Sequence, residues 1–223
     1  MQRVFVHGFT QTVTSWEPVT SRMKADARVP SVPQTADFVA TAHELDRGRG
    51  EYVGYSMGGR LCLQLALDRP EVVERLVLVS ASPGITDAAD RAARHHADEQ
   101  LAQSIERDGV DAFLERWVAQ PLFATLPRDR SGIDDRRAGN TVEGLTYQLR
   151  VLGQGVQPSN WERLADLAMP TLLIVGELDT KYVDIAHRMA AAIPHARVEV
   201  ITDAGHACHL EQPAAVAHLL ASW

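Results

Sequence analysis

Five short stretches of this chain, Arg3–His7, Glu51–Tyr55, Leu76–Ser80, Thr171–Gly176 and Arg197–Thr202, read as strands with apolar residues on both faces. Such a strand is stable only when both faces are covered, the condition of a buried parallel strand flanked by helices. Amphipathic stretches of helical length alternate with them: Ser15–Lys24, Ala36–Arg47, Met57–Asp68, Lys181–Ala192 and Pro213–Trp223. Pro213 suits a first helical turn, where the missing N–H has no intrahelical partner to lose. Arg28–Val32 is a further strand candidate, demoted by Pro30 and Pro33 to an edge or a loop. The alternation predicts an α/β architecture with a mostly parallel sheet. It stops between about Ile85 and Asp166, where the helical patterns Ala88–Arg107, Val110–Ala119 and Ile133–Leu152 follow one another without a strand. The expected organisation is a core of residues 1–84 and 167–223, with residues 85–166 inserted as a helical cap. Such a cap would lie over the carboxyl edge of the sheet, where ligands bind in open α/β folds.

Composition narrows the function. A chain of 223 residues buries about 70% of its unfolded surface and needs no staples. No apolar run approaches the roughly 20 residues that span a bilayer, and the first residues read as a strand rather than a signal peptide. A cytoplasmic location without membrane insertion is therefore expected. The net charge of −7 argues against nucleic acid as a partner. Lysine occurs only at Lys24 and Lys181, so arginine carries nearly all positive charge, and any one arginine must be judged by its position. The two cysteines, Cys62 and Cys208, form neither a disulfide framework nor a metal-ligand pattern. No His/Cys/Asp cluster has ligand spacing, and no glycine-rich nucleotide loop stands apart from Gly54–Gly59, so no metal or cofactor is expected.

Four signals carry chemistry, each at the end of a predicted strand. Gly54-Tyr55-Ser56-Met57-Gly58 is a G-x-S-x-G motif between strand and helix, where a sharp turn flanked by small residues holds a serine out at the top of a sheet. The helix start also places the Met57 N–H beside a developing oxyanion. Val6-His7-Gly8-Phe9 ends the first strand, and Phe9 is the candidate for the second backbone donor of an oxyanion hole, with His7 read as structural. Gly176-Glu177-Leu178-Asp179 supplies an acid able to orient a histidine; Glu177, Asp184 and Asp203 are its rivals. Asp203-Ala204-Gly205-His206 then presents an imidazole, with His209 as the nearest decoy and His43, His95, His96, His187, His195 and His218 on predicted helices or connections. The order Ser56, Asp179, His206 matches a serine triad on a strand-turn-helix scaffold.

These motifs resemble the α/β-hydrolase superfamily over essentially the whole chain. Within it the likeness is to the 2-succinyl-6-hydroxy-2,4-cyclohexadiene-1-carboxylate synthases, lyases of menaquinone biosynthesis. It rests on Val6-His7-Gly8-Phe9-Thr10 with Trp16, on Gly54–Arg60, on Ala92-Ala93-Arg94 and on Trp117–Phe123. Near the end it rests on Gly176–Tyr182 and Gly205–His209. The resemblance implies elimination of pyruvate from a cyclohexene that carries a succinyl arm, a ring carboxylate and an enolpyruvyl ether. It also implies a small anionic substrate bound by Arg60, Arg94 and Arg137, with Trp117 lining the pocket. Arginine suits that task because its planar fork grips a carboxylate at two points. Arg60 lies four residues beyond Ser56, on the same helix face; the alternative for it is an outward, solvated guanidinium. Arg94 and Arg137 sit among Arg91, Arg128, Arg130 and Arg136 and have the same alternative. The chain departs from the family pattern in lacking an Asp-x-Pro-Gly-His-Gly loop around Ala25–Ala36, and it begins at the His-Gly strand. Two other readings use the same residues: a serine carboxylesterase working through an acyl-enzyme, and a non-catalytic ligand binder of the same fold.

Overall fold

The computed structural model describes residues 1–23 and 26–223. Its strands are β1 (Arg3–Val6), β2 (Ala27–Arg28), β3 (Gly50–Tyr55), β4 (Val73–Val79), β5 (Thr171–Gly176) and β6 (Ala196–Ile201). They form one sheet in the order β2-β1-β3-β4-β5-β6, and every pairing is parallel. The side-chain period of two divides the strands between two cores. Val4, Val6, Tyr52, Leu76, Leu78, Leu173 and Val175 face one way and pack under α2 (Phe38–His43), α3 (Met57–Asp68) and α7 (Thr180–Ala192). Phe5, Val53, Tyr55, Val77, Val79, Leu172 and Ile174 face the other way. There they meet Trp16, α1 (Glu17–Thr20), α8 (Cys208–Glu211) and α9 (Pro213–Ser222). The expected α/β-hydrolase fold, a parallel sheet between helical layers, is borne out.

The chain leaves β1 toward β2 on one side and returns to β3 on the other. The carboxyl ends of β1 and β3 therefore flank the point where strand order reverses, which opens a crevice for ligands. Between β4 and β5 come α4 (Ala88–Val118), α5 (Ile133–Gly139) and α6 (Val142–Leu152). These cap helices share a separate apolar core of Ala102, Ile105, Phe113, Leu114, Leu145 and Leu149.

Several boundaries differ from expectation. The strand expected at Arg28–Val32 is only Ala27–Arg28, an edge pairing with β1 that the prolines cut short. β6 is the opposite edge and is only partly covered, so it is not apolar on both faces. Ser15–Lys24 resolves into a 3-10 turn at Val13–Trp16 followed by α1, and Lys24 lies outside the described residues. Ala36–Arg47 shortens to Phe38–His43, started by Asp37, whose carboxylate accepts the Ala40 N–H at 2.8 Å. The stretch Ile133–Leu152 breaks at Asn140-Thr141, where the Thr141 hydroxyl caps a new helix. Within α4, Ala88–Arg107 and Val110–Ala119 are two helical segments as expected, parted at Gly109, whose φ 81° and ψ 172° are not helical.

Candidate active site

Ser56 sits between β3 and α3 with φ 49° and ψ −108°, a backbone conformation that a side chain rarely adopts. Its N–H donates to the Val79 carbonyl at 2.9 Å, so the neighbouring strand holds the turn. The sharpness of the turn needs glycine on both sides: a Cβ at Gly54 would strike the Gly58–Gly59 backbone, and one at Gly58 the Val6 carbonyl. This close approach seats the start of α3 against the end of β1, which brings Met57 and Phe9 to the same cavity as Ser56. The Gly8 N–H is given to the Gln11 side chain at 3.2 Å. The Phe9 N–H has no acceptor among the described residues.

His206 follows β6 and Asp179 follows β5. The imidazole Nδ1 is 2.7 Å from Asp179 Oδ2, and Nε2 is 3.3 Å from Ser56 Oγ. A carboxylate can only accept, so Nδ1 carries the proton, and the bare Nε2 accepts from the serine hydroxyl. The other carboxylate oxygen, Asp179 Oδ1, accepts the Tyr182 N–H at 3.4 Å at the start of α7. His206 is 2% exposed, walled by the rings of Tyr55, Phe123 and Tyr182. Base, acid and hydroxyl thus meet at one rim of the sheet, from three strands.

The rivals have other partners. Glu177 is exposed and accepts the Asp203 N–H at 3.2 Å. Asp184 is exposed beside Arg188 at 3.8 Å. His43 pairs with Asp68 at 3.0 Å. His209 is fully buried, with Nε2 3.3 Å from the Gln11 amide, and burial drives its pKa well down. His7 is also buried and shifted down by burial; its Nδ1 donates to the Gly8 carbonyl at 3.0 Å. It does not line the cavity.

Three of the four expected substrate-binding residues line the cavity with Ser56 and His206: Arg60, Arg94 and Trp117. Arg60 is 6% exposed, lies 5.6 Å over the Phe38 ring, and donates from Nη1 to Gln157 Oε1 at 3.0 Å. Among the described residues no carboxylate pairs with it. Burial pushes its pKa down to about 10, partly offset by Tyr182, so it remains a cation at neutral pH. Arg94 donates to Asp98 at 2.8 Å and to Gln154 Oε1 at 2.9 Å. Gln154 in turn donates to the Tyr182 hydroxyl at 3.2 Å. Trp117 meets Phe9 edge-on, with ring centres 4.9 Å apart.

Arg137 differs from expectation: it is not among the cavity-lining residues. Glu115 on α4 holds its guanidinium, together with Asp134 at 3.0 Å, and Asp111 lies 3.8 Å away. Its neighbour Arg136 turns inward instead, buried against the Thr10 hydroxyl and the Ser131 carbonyl. Gln154, Gln157 and Tyr55 belong to the site's surroundings without having been singled out. The two glutamines carry no motif, whereas Tyr55 stood inside the serine turn and its place before Ser56 could have been read. No group of three or more His, Cys, Asp or Glu able to hold a metal occurs among the described residues. No helix among them is long and apolar enough to cross a membrane.

Comparison with known proteins agrees with this geometry. Residues 4–219 match the model of the alpha/beta hydrolase family. A Bacillus subtilis protein assigned by name as a 2-succinyl-6-hydroxy-2,4-cyclohexadiene-1-carboxylate synthase is 35% identical, over 94% of this chain and 85% of the relative. The synthase of that name from Salmonella paratyphi C is 31% identical, over 98% of this chain and 91% of the relative. Among solved structures, MenH from S. aureus superposes with a TM-score of 0.92 at 28% identity, covering 100% of this chain and 92% of that one. A malate-bound thermophilic esterase from Thermogutta terrifontis, at 22% identity and a TM-score of 0.77 over 100% of this chain and 89% of its own, shares the fold. The chain belongs to the α/β-hydrolase family and, within it, to the 2-succinyl-6-hydroxy-2,4-cyclohexadiene-1-carboxylate synthases.

Proposed function

We propose that this chain is a cytoplasmic lyase that eliminates pyruvate from a cyclohexene bearing a succinyl arm, a ring carboxylate and an enolpyruvyl ether. The observation that carries this reading is Arg60: a buried guanidinium paired with no carboxylate among the described residues, sharing one cavity with Ser56 and His206. Burying a charge without an ion-pair partner in contact costs several kcal/mol, a cost that an anionic substrate would offset. Arg94, held in place by Asp98, adds a second cation to the same cavity.

In this mechanism His206 Nε2 takes the proton of the Ser56 hydroxyl, and Asp179 stabilises the imidazolium that forms. The serine alkoxide removes a proton from the substrate ring. The C–H electron pair becomes a ring double bond as the C–O bond to the enolpyruvyl group breaks; the ring proton restores the Ser56 hydroxyl, and the His206 imidazolium gives its proton to the departing enolate, which leaves as pyruvate. The Phe9 and Met57 N–H groups would stabilise the negative charge that builds on the substrate. No acyl-enzyme forms. General-base help of this kind contributes about 10²–10⁴-fold, the remainder coming from positioning and electrostatics.

A serine carboxylesterase is the second reading, favoured by the apolar part of the cavity wall at Leu122, Phe123, Leu149 and Leu152. One pair of variants separates the two. Ser56→Ala should lose both pyruvate release and hydrolysis of p-nitrophenyl acetate. Arg60→Ala should lose pyruvate release while ester hydrolysis persists. An Arg60→Ala variant that still releases pyruvate at the original rate, or an acyl-enzyme burst with the cyclohexene substrate, would overturn the lyase assignment.

A further inference from the structure

We propose that Glu211 is a positioning residue that sets the backbone carrying His206. The inference rests on the reading of His206 as the proton acceptor. Glu211 is 4% exposed and sits on the single turn α8. Its carboxylate accepts two backbone N–H groups, Gly205 at 2.8 Å through Oε2 and Ala207 at 3.1 Å through Oε1. Those amides belong to the residues immediately before and after His206, so one carboxylate brackets the histidine in the chain.

Among the described residues no cation pairs with this carboxylate. The guanidinium that does reach Glu211, that of Arg130, goes to its main-chain carbonyl at 2.8 Å. A carboxylate buried against amides alone is a costly way to tie down an ordinary loop. Here the loop is asked for more than burial. His206 must keep Nδ1 2.7 Å from Asp179 while Nε2 stays 3.3 Å from Ser56, and those partners stand on loops after two other strands. The rings around His206 limit the imidazole but do not hold its main chain. The clamp does, and it is short: the Glu211 N–H itself returns to the Ala207 carbonyl at 3.0 Å, closing a compact ring.

Chemistry limits the replacement. Glutamine offers one acceptor oxygen and turns an NH₂ toward the second amide, so it can satisfy only one of the two. Aspartate keeps the charge but is one methylene short of reaching both. The test is steady-state kinetics on Glu211→Gln and Glu211→Asp, with pyruvate release and p-nitrophenyl acetate hydrolysis read in parallel. A loop displaced by about 1 Å costs on the order of 100-fold in rate. We therefore expect a drop of about that size in kcat for Glu211→Gln, with KM nearly unchanged and Glu211→Asp in between. The far-downfield proton resonance of the His206–Asp179 hydrogen bond should shift or vanish in Glu211→Gln. Full kcat with an unaltered resonance in a folded Glu211→Gln protein would overturn the proposal, as would a loss confined to thermal stability. If the variants do not fold, amide exchange in the unmodified protein decides: Gly205 and Ala207 should be protected, and exchange at exposed-loop rates refutes the clamp. Ester hydrolysis without pyruvate release by the unmodified protein would sink the lyase reading alone, since Glu211 can then be tested on the ester.

Discussion

The rim of the sheet and the cap above it hold their functional groups by different means. Ser56 stands directly after β3, and Asp179 and His206 a few residues beyond β5 and β6, where ladder bonds continue into the loop: Ser56 N–H to Val79, Glu177 N–H to Ile201, Leu178 N–H to Ala204, each at 2.9 Å. The cap holds Arg94, Arg137 and Arg150 through other side chains. Arg94 is turned to the cavity by Asp98 and Gln154, while Arg137 is held outside by Glu115 and Asp134. Arg150 likewise joins Glu99 and Glu106 on the cap surface. A backbone ladder leaves one geometry, whereas a long guanidinium takes whichever acid the packing brings near. In the proposed mechanism the proton chemistry is therefore built on the rigid half and substrate recognition partly on the adaptable one.

The largest expected effect tests the rigid half. Asp179→Asn leaves an amide that can donate to Nδ1 and so favours the wrong imidazole tautomer; pyruvate release should fall by up to about 10⁴-fold in kcat. A loss below tenfold would break the claim that this acid orients His206. Next comes the division within the cap. Arg94→Ala should lower kcat/KM for the cyclohexene substrate by about tenfold, the scale of a single charge-assisted hydrogen bond. Arg137→Ala should stay near the unmodified value, because its partners are acids outside the cavity. Equal losses at the two positions would erase the distinction.

The smallest effect concerns acid stability, and the two halves differ there too. The buried imidazoles with lowered pKa, His7 and His209, flank the sheet rim, whereas His95 and His96 on the cap are exposed. In the fold, burial moves proton uptake by each imidazole to lower pH, whereas unfolded each takes up a proton near pH 6.5. Their contribution is thus complete above 6.5 and declines as pH falls below it, by up to about 1.4 kcal/mol per pH unit for each. Glu51, pushed up by burial, works in the opposite sense, favouring the fold as it protonates. The urea midpoint should be lower at pH 5.5 than at pH 7.5, and a midpoint that does not fall would show these imidazoles to be solvated.

How much could be read in advance follows the same division. The strand-turn-helix around Ser56 was legible because its signals are local: a strand, then glycines at the positions where a Cβ would collide, then a helix. The acid and histidine loops were legible for a similar reason, as short segments closing strands. The sequence by itself determined the order of elements, the parallel sheet, and which residue types stand at each strand end, because period-two burial and turn chemistry act over a few residues. Only the tertiary structure decided that Arg94 faces the cavity while Arg137 does not, that Gln157 rather than an acid holds Arg60, and that Glu211 grips both sides of His206. Those outcomes depend on contacts between segments far apart in the chain, and many pairings of long polar side chains are equally compatible with one local pattern.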